Sequence, residues 1–198
     1  MQDNGGRCHH RPISPAPHPR MDHDRQQGDL LIRPWRAGDA PGLHRAVRAS
    51  LTVMSEWLPW AHGGYGLREA EAWVAYSLGA WADGTAFPMA IVNARTGEIV
   101  GGTGFSDVDR AHASANLGYW VSARHHGQGI ATRAAALAAD IGFTDLGLRR
   151  IEVRMLPGNT ASLRVARKLG ARPEGLARAS VRHGDAWVDA EVFALERG

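Results

Sequence analysis

Cysteine occurs once in the 198 residues, as Cys8. The chain therefore has no internal disulfide framework and suits a reducing compartment. Lysine also occurs once, as Lys168, so the formal net charge of +3 comes from arginine. The arginines are scattered rather than gathered into a basic stripe interleaved with aromatics, which argues against direct nucleic-acid binding. No stretch approaches the roughly 20 apolar residues that span a bilayer, so no membrane segment is expected. In the folded region Glu, Asp and His do not fall at ligand spacing, so no metal is expected either. What remains is an ordinary globular composition, 44% hydrophobic and 22% charged, long enough for one domain with a sizeable core.

Residues 1–28 read as a disordered tail with four prolines, three glycines and four histidines (His9, His10, His18, His23). They lack the continuous apolar segment of a signal peptide, which points to a cytoplasmic protein; Met21 is an alternative start. The folded domain is expected over 29–198. "LLIRPWR" (30–36) forms a first strand, and "GDAPGLHRAVRASL" (38–51) a helix capped by Asp39 with Pro41 in its first turn. An aromatic connection, 54–66, leads to a helix over about 67–82. The apolar period then shortens to two. "FPMAIVNA" and "EIVGGTGFSDV" flank a hairpin turn at Arg95–Gly97, and "ASANLGYWVS" (113–122) completes a meander. A helix over 128–146, a strand over 149–156, a helix over 159–170 closed by Gly170, and a hairpin over 176–197 follow. The fold class is α/β.

In "ARHHGQGIATRA" (123–134), Gly127 and Gly129 stand where a strand turns into a helix. Glycine weakens a helix interior by roughly 1 kcal/mol relative to alanine, so two here suggest a close approach to the backbone. Several N–H groups at the positive end of a helix make an anion site suited to a pyrophosphate. The loop lacks the lysine and Ser/Thr of a P-loop, and Thr132 stands where a dinucleotide fingerprint needs its third glycine. An ordinary tight turn is the alternative.

Taken together, "LIRPWRAGD", "MSEWLPW", "LGYWVSARHHGQGIAT", "DLGLRRIEVRMLPGNTASLRVARKLGARPEG" and "GDAWVDAEVFAL" resemble the GNAT superfamily of acetyl-CoA-dependent N-acetyltransferases. The resemblance is to its RimJ/RimL branch, which acetylates ribosomal-protein N-termini, and it covers residues 30–197. It implies a mixed, mostly antiparallel sheet of about seven strands flanked by helices, with two central strands (116–122 and 149–156) splayed around acetyl-CoA. It also implies direct attack of a primary amine on the thioester. The pyrophosphate would rest on N–H groups of Arg124, His125, His126, Gly127, Gln128, Gly129, Ile130, Ala131 and Thr132. His126 would face the phosphates or adenosine, and Thr132 would either give a phosphate its hydroxyl or pack the helix. Tyr119, Trp120 and Val121 would face the pantetheine arm, with Trp120 as a wall.

By the same resemblance Asn159 would contact the pantetheine, or simply cap its helix. Ser162 would stabilise or protonate the departing thiolate, or satisfy a backbone group in the first turn. Glu152 would take the amine proton through water, or pair with Arg150 or Arg154. Asn116 stands where some relatives carry a second glutamate. Trp57, Trp60, Tyr65 and Trp187 would shape the acceptor slot, with Glu56 for an ammonium. The acceptor is a peptide N-terminus or a small-molecule amine; a coenzyme-A sensor without turnover is a third reading. A homodimer would fit the branch.

Overall fold

The structure, a computed structural model, describes residues 23–197; the readings made on Cys8, His9, His10, His18 and Met21 lie outside these residues. One sheet holds eight strands: β1 Arg25–Gln27, β2 Leu30–Pro34, β3 Phe87–Asn93, β4 Ile99–Asp109, β5 Ser114–Val121, β6 Arg150–Met155, β7 Arg172–His183 and β8 Ala186–Glu196. Their spatial order is β1-β2-β3-β4-β5-β6-β8-β7. Every neighbouring pair is antiparallel except β5 and β6. The helices are α1 Ala40–Arg48, α2 Leu51–Met54, α3 Leu67–Asp83, α4 Ile130–Thr144 and α5 Thr160–Lys168, the last ending on the exposed Lys168.

The sheet buries both faces. Ile91, Phe105, Leu117, Ile151 and Val153 pack with Ala138 and Ile141 of α4 and Val165 of α5. On the other face Trp35, Ala90 and Val92 pack with Leu43 and Val47 of α1 and Ala70 and Val74 of α3. Strand β3 contributes to both clusters, which is why its sequence is continuously apolar rather than alternating.

Two elements differ from the sequence reading. Strand β1 lies inside the segment expected as tail, which brings the strand count from about seven to eight. Its sequence, Arg-Gln-Gln, carries no hydrophobic pattern. Polar contacts hold it instead: Arg25 reaches Asp145 at 2.7 Å and Asp140 at 3.1 Å. The helix expected over 38–51 begins with a 3₁₀ turn, Ala37–Asp39, and breaks at Ser50 before resuming as α2. Asp39 does not cap α1 with its side chain. It accepts the Arg36 N–H at 2.7 Å and forms a two-point ion pair with Arg33 (2.7 and 2.9 Å). That pair explains the spacing in "RPWRAGD", because it ties β2 to the start of α1.

Arg33 is only 7% exposed, so removing its partner strands a buried charge. Asp39→Ala is expected to destabilise the fold by about 3 kcal/mol, read by chemical denaturation. Gly142 on α4 lies against the sheet, where a Cβ would come within 2.7 Å of Phe105 and 2.9 Å of Ile151. Gly79 on α3 has nothing within 4 Å of that position. Gly142→Ala should therefore lower Tm, at a cost of about 1–3 kcal/mol, whereas Gly79→Ala should raise it by gaining about 0.5–1 kcal/mol.

Candidate active site

The loop between β5 and α4 answers the glycine question in part. Gly127 (φ 75°) and Gly129 (φ 73°) are both left-handed, and nothing lies within 4 Å of where a Cβ would stand on either. Backbone conformation alone thus accounts for the glycines. Its consequence is an open helix start: Gly129 precedes α4 with no side chain capping the helix. The N–H groups of Ile130, Ala131 and Thr132 open the helix, and the half-buried Thr132 hydroxyl has no hydrogen-bond partner among the described residues. His126 does not turn its ring toward an anion at this loop; Nε2 donates back to the Val121 carbonyl at 2.9 Å. His125 Nε2 lies 3.5 Å from Glu98, Arg124 is exposed, and Gln128 reaches the Arg124 carbonyl at 3.5 Å.

A group missed in the sequence positions this loop. Ser50, at the α1–α2 break, is 1% exposed, and its Oγ accepts the Ala123 N–H at 2.9 Å. The same Oγ donates to Ala46 O at 2.8 Å and lies 3.1 Å from Ser122 Oγ. A helix break with a serine in it carries little local signal, because the partner is 73 residues away.

Strands β5 and β6 pair only through Ser114–Arg150, Ala115–Ile151 and Asn116–Glu152. Beyond Asn116, β5 continues against β4 and β6 continues against β8, so the two part and leave a gap. Asn116 closes the apex: its Oδ1 accepts the Arg154 N–H at 3.2 Å, and its Nδ2 donates to Ser106 Oγ at 3.2 Å. Across the gap the Tyr119 hydroxyl donates to the Ser162 carbonyl at 3.2 Å. Burial pushes that phenol up to about 12, with the hydrogen bond opposing, so it stays protonated.

Asn159 caps α5, its Oδ1 accepting the Ser162 N–H at 3.0 Å. Both backbone groups of Ser162 are thereby engaged, while its half-buried hydroxyl makes no hydrogen bond among the described residues. Glu152 sits between two arginines, with Oε1 2.9 Å from Arg150 and Oε2 2.8 Å from Arg154. The ion-pair arrangement is thus the one present. Arg150 carries Glu174 as well, so the network continues onto β7.

On the α1/α3 side a cavity of about 740 Å³ opens over β4 and β5. Its walls include Trp35, Trp60, Tyr65, Trp73, Tyr76 and Trp120, with Gly118 and Tyr119 on the floor. The Trp120 indole walls the cavity and lies against Gly102, where a Cβ would meet Nε1 at 2.7 Å. Trp60 crosses Trp120 edge-on at 6.0 Å and leans on Tyr65 at 6.1 Å.

Three residues expected in the acceptor slot do not line this cavity: Glu56, Trp57 and Trp187. After α2 the chain turns, with Trp57 and Leu58 both donating to the Met54 carbonyl, and Leu58, Trp60, His62 and Tyr65 come round to the cavity while Glu56 and Trp57 do not. Trp187, 64% exposed, pairs with Arg182 next to the β7–β8 turn, on strands beyond β6 from the cavity. The carboxylate that does line the cavity is Glu69, three residues into α3, whose Oε2 accepts the Gly66 N–H at 3.0 Å. The G-x-x-E spacing before an apolar run is a legible capping signal, though nothing in it announces a ligand.

The sequence profile described as Acetyltransferase (GNAT) domain matches residues 29–172. Among curated proteins, the chain is 34% identical over 113 residues to the uncharacterized N-acetyltransferase p20 of Bacillus licheniformis, covering 57% of this chain and 64% of that one. It is 35% identical over 79 residues to spermidine N(1)-acetyltransferase of Escherichia coli, covering 40% and 42%. These matches span less than two thirds of either relative's length. Among solved structures, Mycobacterium smegmatis RimJ in complex with CoA-disulfide superimposes with a TM-score of 0.73 at 32% identity, covering 84% of this chain and 81% of that one. The family match covers most of the chain, and the chain belongs to the GNAT acetyltransferases.

Proposed function

We propose that this acetyltransferase moves the acetyl group of acetyl-CoA onto the α-amine of a protein N-terminus, of the ribosomal-protein type. The observation that carries the reading is continuity. The stretch Gly118–Trp120 of β5 borders the gap on one side and floors the aromatic cavity on the other, so two ligands can meet at one strand edge.

The residues present fit acetyl-CoA. An uncapped helix start behind two left-handed glycines offers N–H groups to a pyrophosphate, and Thr132 adds an unengaged hydroxyl. The edge of β5 from Leu117 to Val121 has no strand partner toward β6, and would hold an extended arm. Asn159 would meet that arm with the amide nitrogen left over from capping α5. When bound, acetyl-CoA supplies an activated acetyl thioester with a thiol leaving group.

The chain's own groups then divide the work. Ser162 Oγ, without a hydrogen-bond partner among the described residues, would donate a hydrogen bond to the departing thiolate. Tyr119, hydrogen-bonded to the Ser162 carbonyl, fixes the turn on which that hydroxyl sits. Glu152, at the closed end of the gap and off the cavity, would receive the amine proton through water, with an ion pair to Arg150 or Arg154 giving way. The acceptor assignment rests on two supports. One is the 32% identity to RimJ. The other is that Glu69 is the single carboxylate among the cavity residues, whereas a polyamine brings several ammonium groups.

Acetyl-CoA at about 100 times its Kd should stabilise the fold by about 2.7 kcal/mol, seen as a rise in Tm. Thiol release should follow with peptides that begin with Ala or Ser; a shift without release would favour the coenzyme-A sensor reading. Ser162→Ala should cut turnover by about 100-fold and leave the acetyl-CoA shift in place, whereas unchanged turnover would remove Ser162 from the reaction.

A further inference from the structure

Tyr65 is 6% exposed and lines the cavity, yet its hydroxyl has no hydrogen-bond partner among the described residues. No buried side-chain oxygen or nitrogen among those residues lacks a partner, so the hydroxyl is not sealed inside the protein; it opens to the cavity. A phenol buried among aromatics, with its polar end left for something else, is arranged for a ligand. Burial of the ring, with the charge of Glu69 added, pushes it up to about 12, so it remains a neutral donor and acceptor.

Glu69 stands on the same cavity with complementary properties. Hydrogen bonds from its own N–H and from that of Gly66, with the charges of His62 and Arg68, hold its carboxyl below the ordinary value against slight desolvation. It is therefore a fixed negative charge near neutrality. Only one of its oxygens, Oε2, is used by the helix cap. Around these two groups the walls are indole and phenol, whose faces attract cations.

We infer that Tyr65 and Glu69 form the ammonium-recognition site of the acceptor pocket, selecting a singly charged primary amine joined to an apolar or aromatic body. This rests on the acetyltransferase reading for its purpose, but the recognition itself is testable without turnover. Tyr65 Oη accepts one N–H of the ammonium, the free oxygen of Glu69 balances the charge, and Trp60 and Trp120 enclose the body. Of the slot residues expected from the sequence, Trp60 and Tyr65 lie on the cavity, and Glu56, Trp57 and Trp187 lie off it.

The test uses the full chain and the cavity's own tryptophans as reporters, titrating 2-phenylethylammonium against its neutral isostere 2-phenylethanol. The native chain should bind the ammonium about tenfold more tightly than the alcohol. Tyr65→Phe and Glu69→Gln should each erase that preference, with Tm and the acetyl-CoA shift unchanged. Both variants are conservative: the Tyr65 hydroxyl makes no hydrogen bond among the described residues, and glutamine can still accept the Gly66 N–H. Glu71→Gln, on the exposed face of α3, should bind as the native chain does. No preference in the native chain, or a preference that survives both variants, overturns the inference. Absence of thiol release with every amine would instead overturn acetyl transfer and leave the titration to judge recognition.

Discussion

The whole arrangement depends on one parallel strand pair that stops early. β5 and β6 share three register positions and then separate. Elsewhere a broken ladder would leave backbone groups without partners, at a cost of a few kcal/mol for each buried one. Here the first of them, the Arg154 N–H, is met by the side chain of Asn116. The outer flanks hold firm, because β5 is laced to β4 along its length and β6 to β8. The opening is therefore a fixed feature of the sheet, supported from both sides and bridged by Tyr119 to α5.

The two ligand regions are built from different materials. The proposed anion grip would use backbone N–H groups, shaped by two left-handed glycines and tethered by the Ser50 hydroxyl. The aromatic cavity proposed for the acceptor uses Trp35 and residues of α1, the α2–α3 connection, α3, β3, β4 and β5. Backbone recognition tolerates variation at most positions except those with φ above zero, whereas a side-chain cavity changes its preference with each residue. A family can thus hold its cofactor site steady while its acceptors diverge.

This difference also explains what the sequence disclosed. The meander, the helix after the glycine loop, the capped α5 and the hairpin turn at Gly184 were legible because each is specified by neighbours in sequence: apolar period, Asn159 at a helix start, Gly170 (φ 78°) at a helix end. Strand β1 was not, since Arg25 is held by Asp140 and Asp145 more than a hundred residues away. The break at Ser50 was hidden for the same reason. Asn159 caps α5 through the Ser162 N–H, and Gly127 and Gly129 stand left-handed ahead of α4. The acceptor residues were only partly legible: Trp60 and Tyr65 reach the cavity, while Glu56, Trp57 and Trp187 do not. Whether an exposed aromatic faces a cavity or solvent depends on a turn two or three residues away, which periodicity does not resolve.

The near-absence of lysine takes on a chemical meaning beside this site. Arginine supplies the ion pairs at Asp39, Asp145, Glu152 and Glu174, and a guanidinium stays protonated and offers no nucleophilic lone pair. Lys168, exposed at the end of α5, is the one side-chain amine of the chain. With the proposed activity, whose product would be an acylated amine, the chain would present almost none of its own substrate type on its side chains, and its structural charges would lie beyond the reach of that reaction.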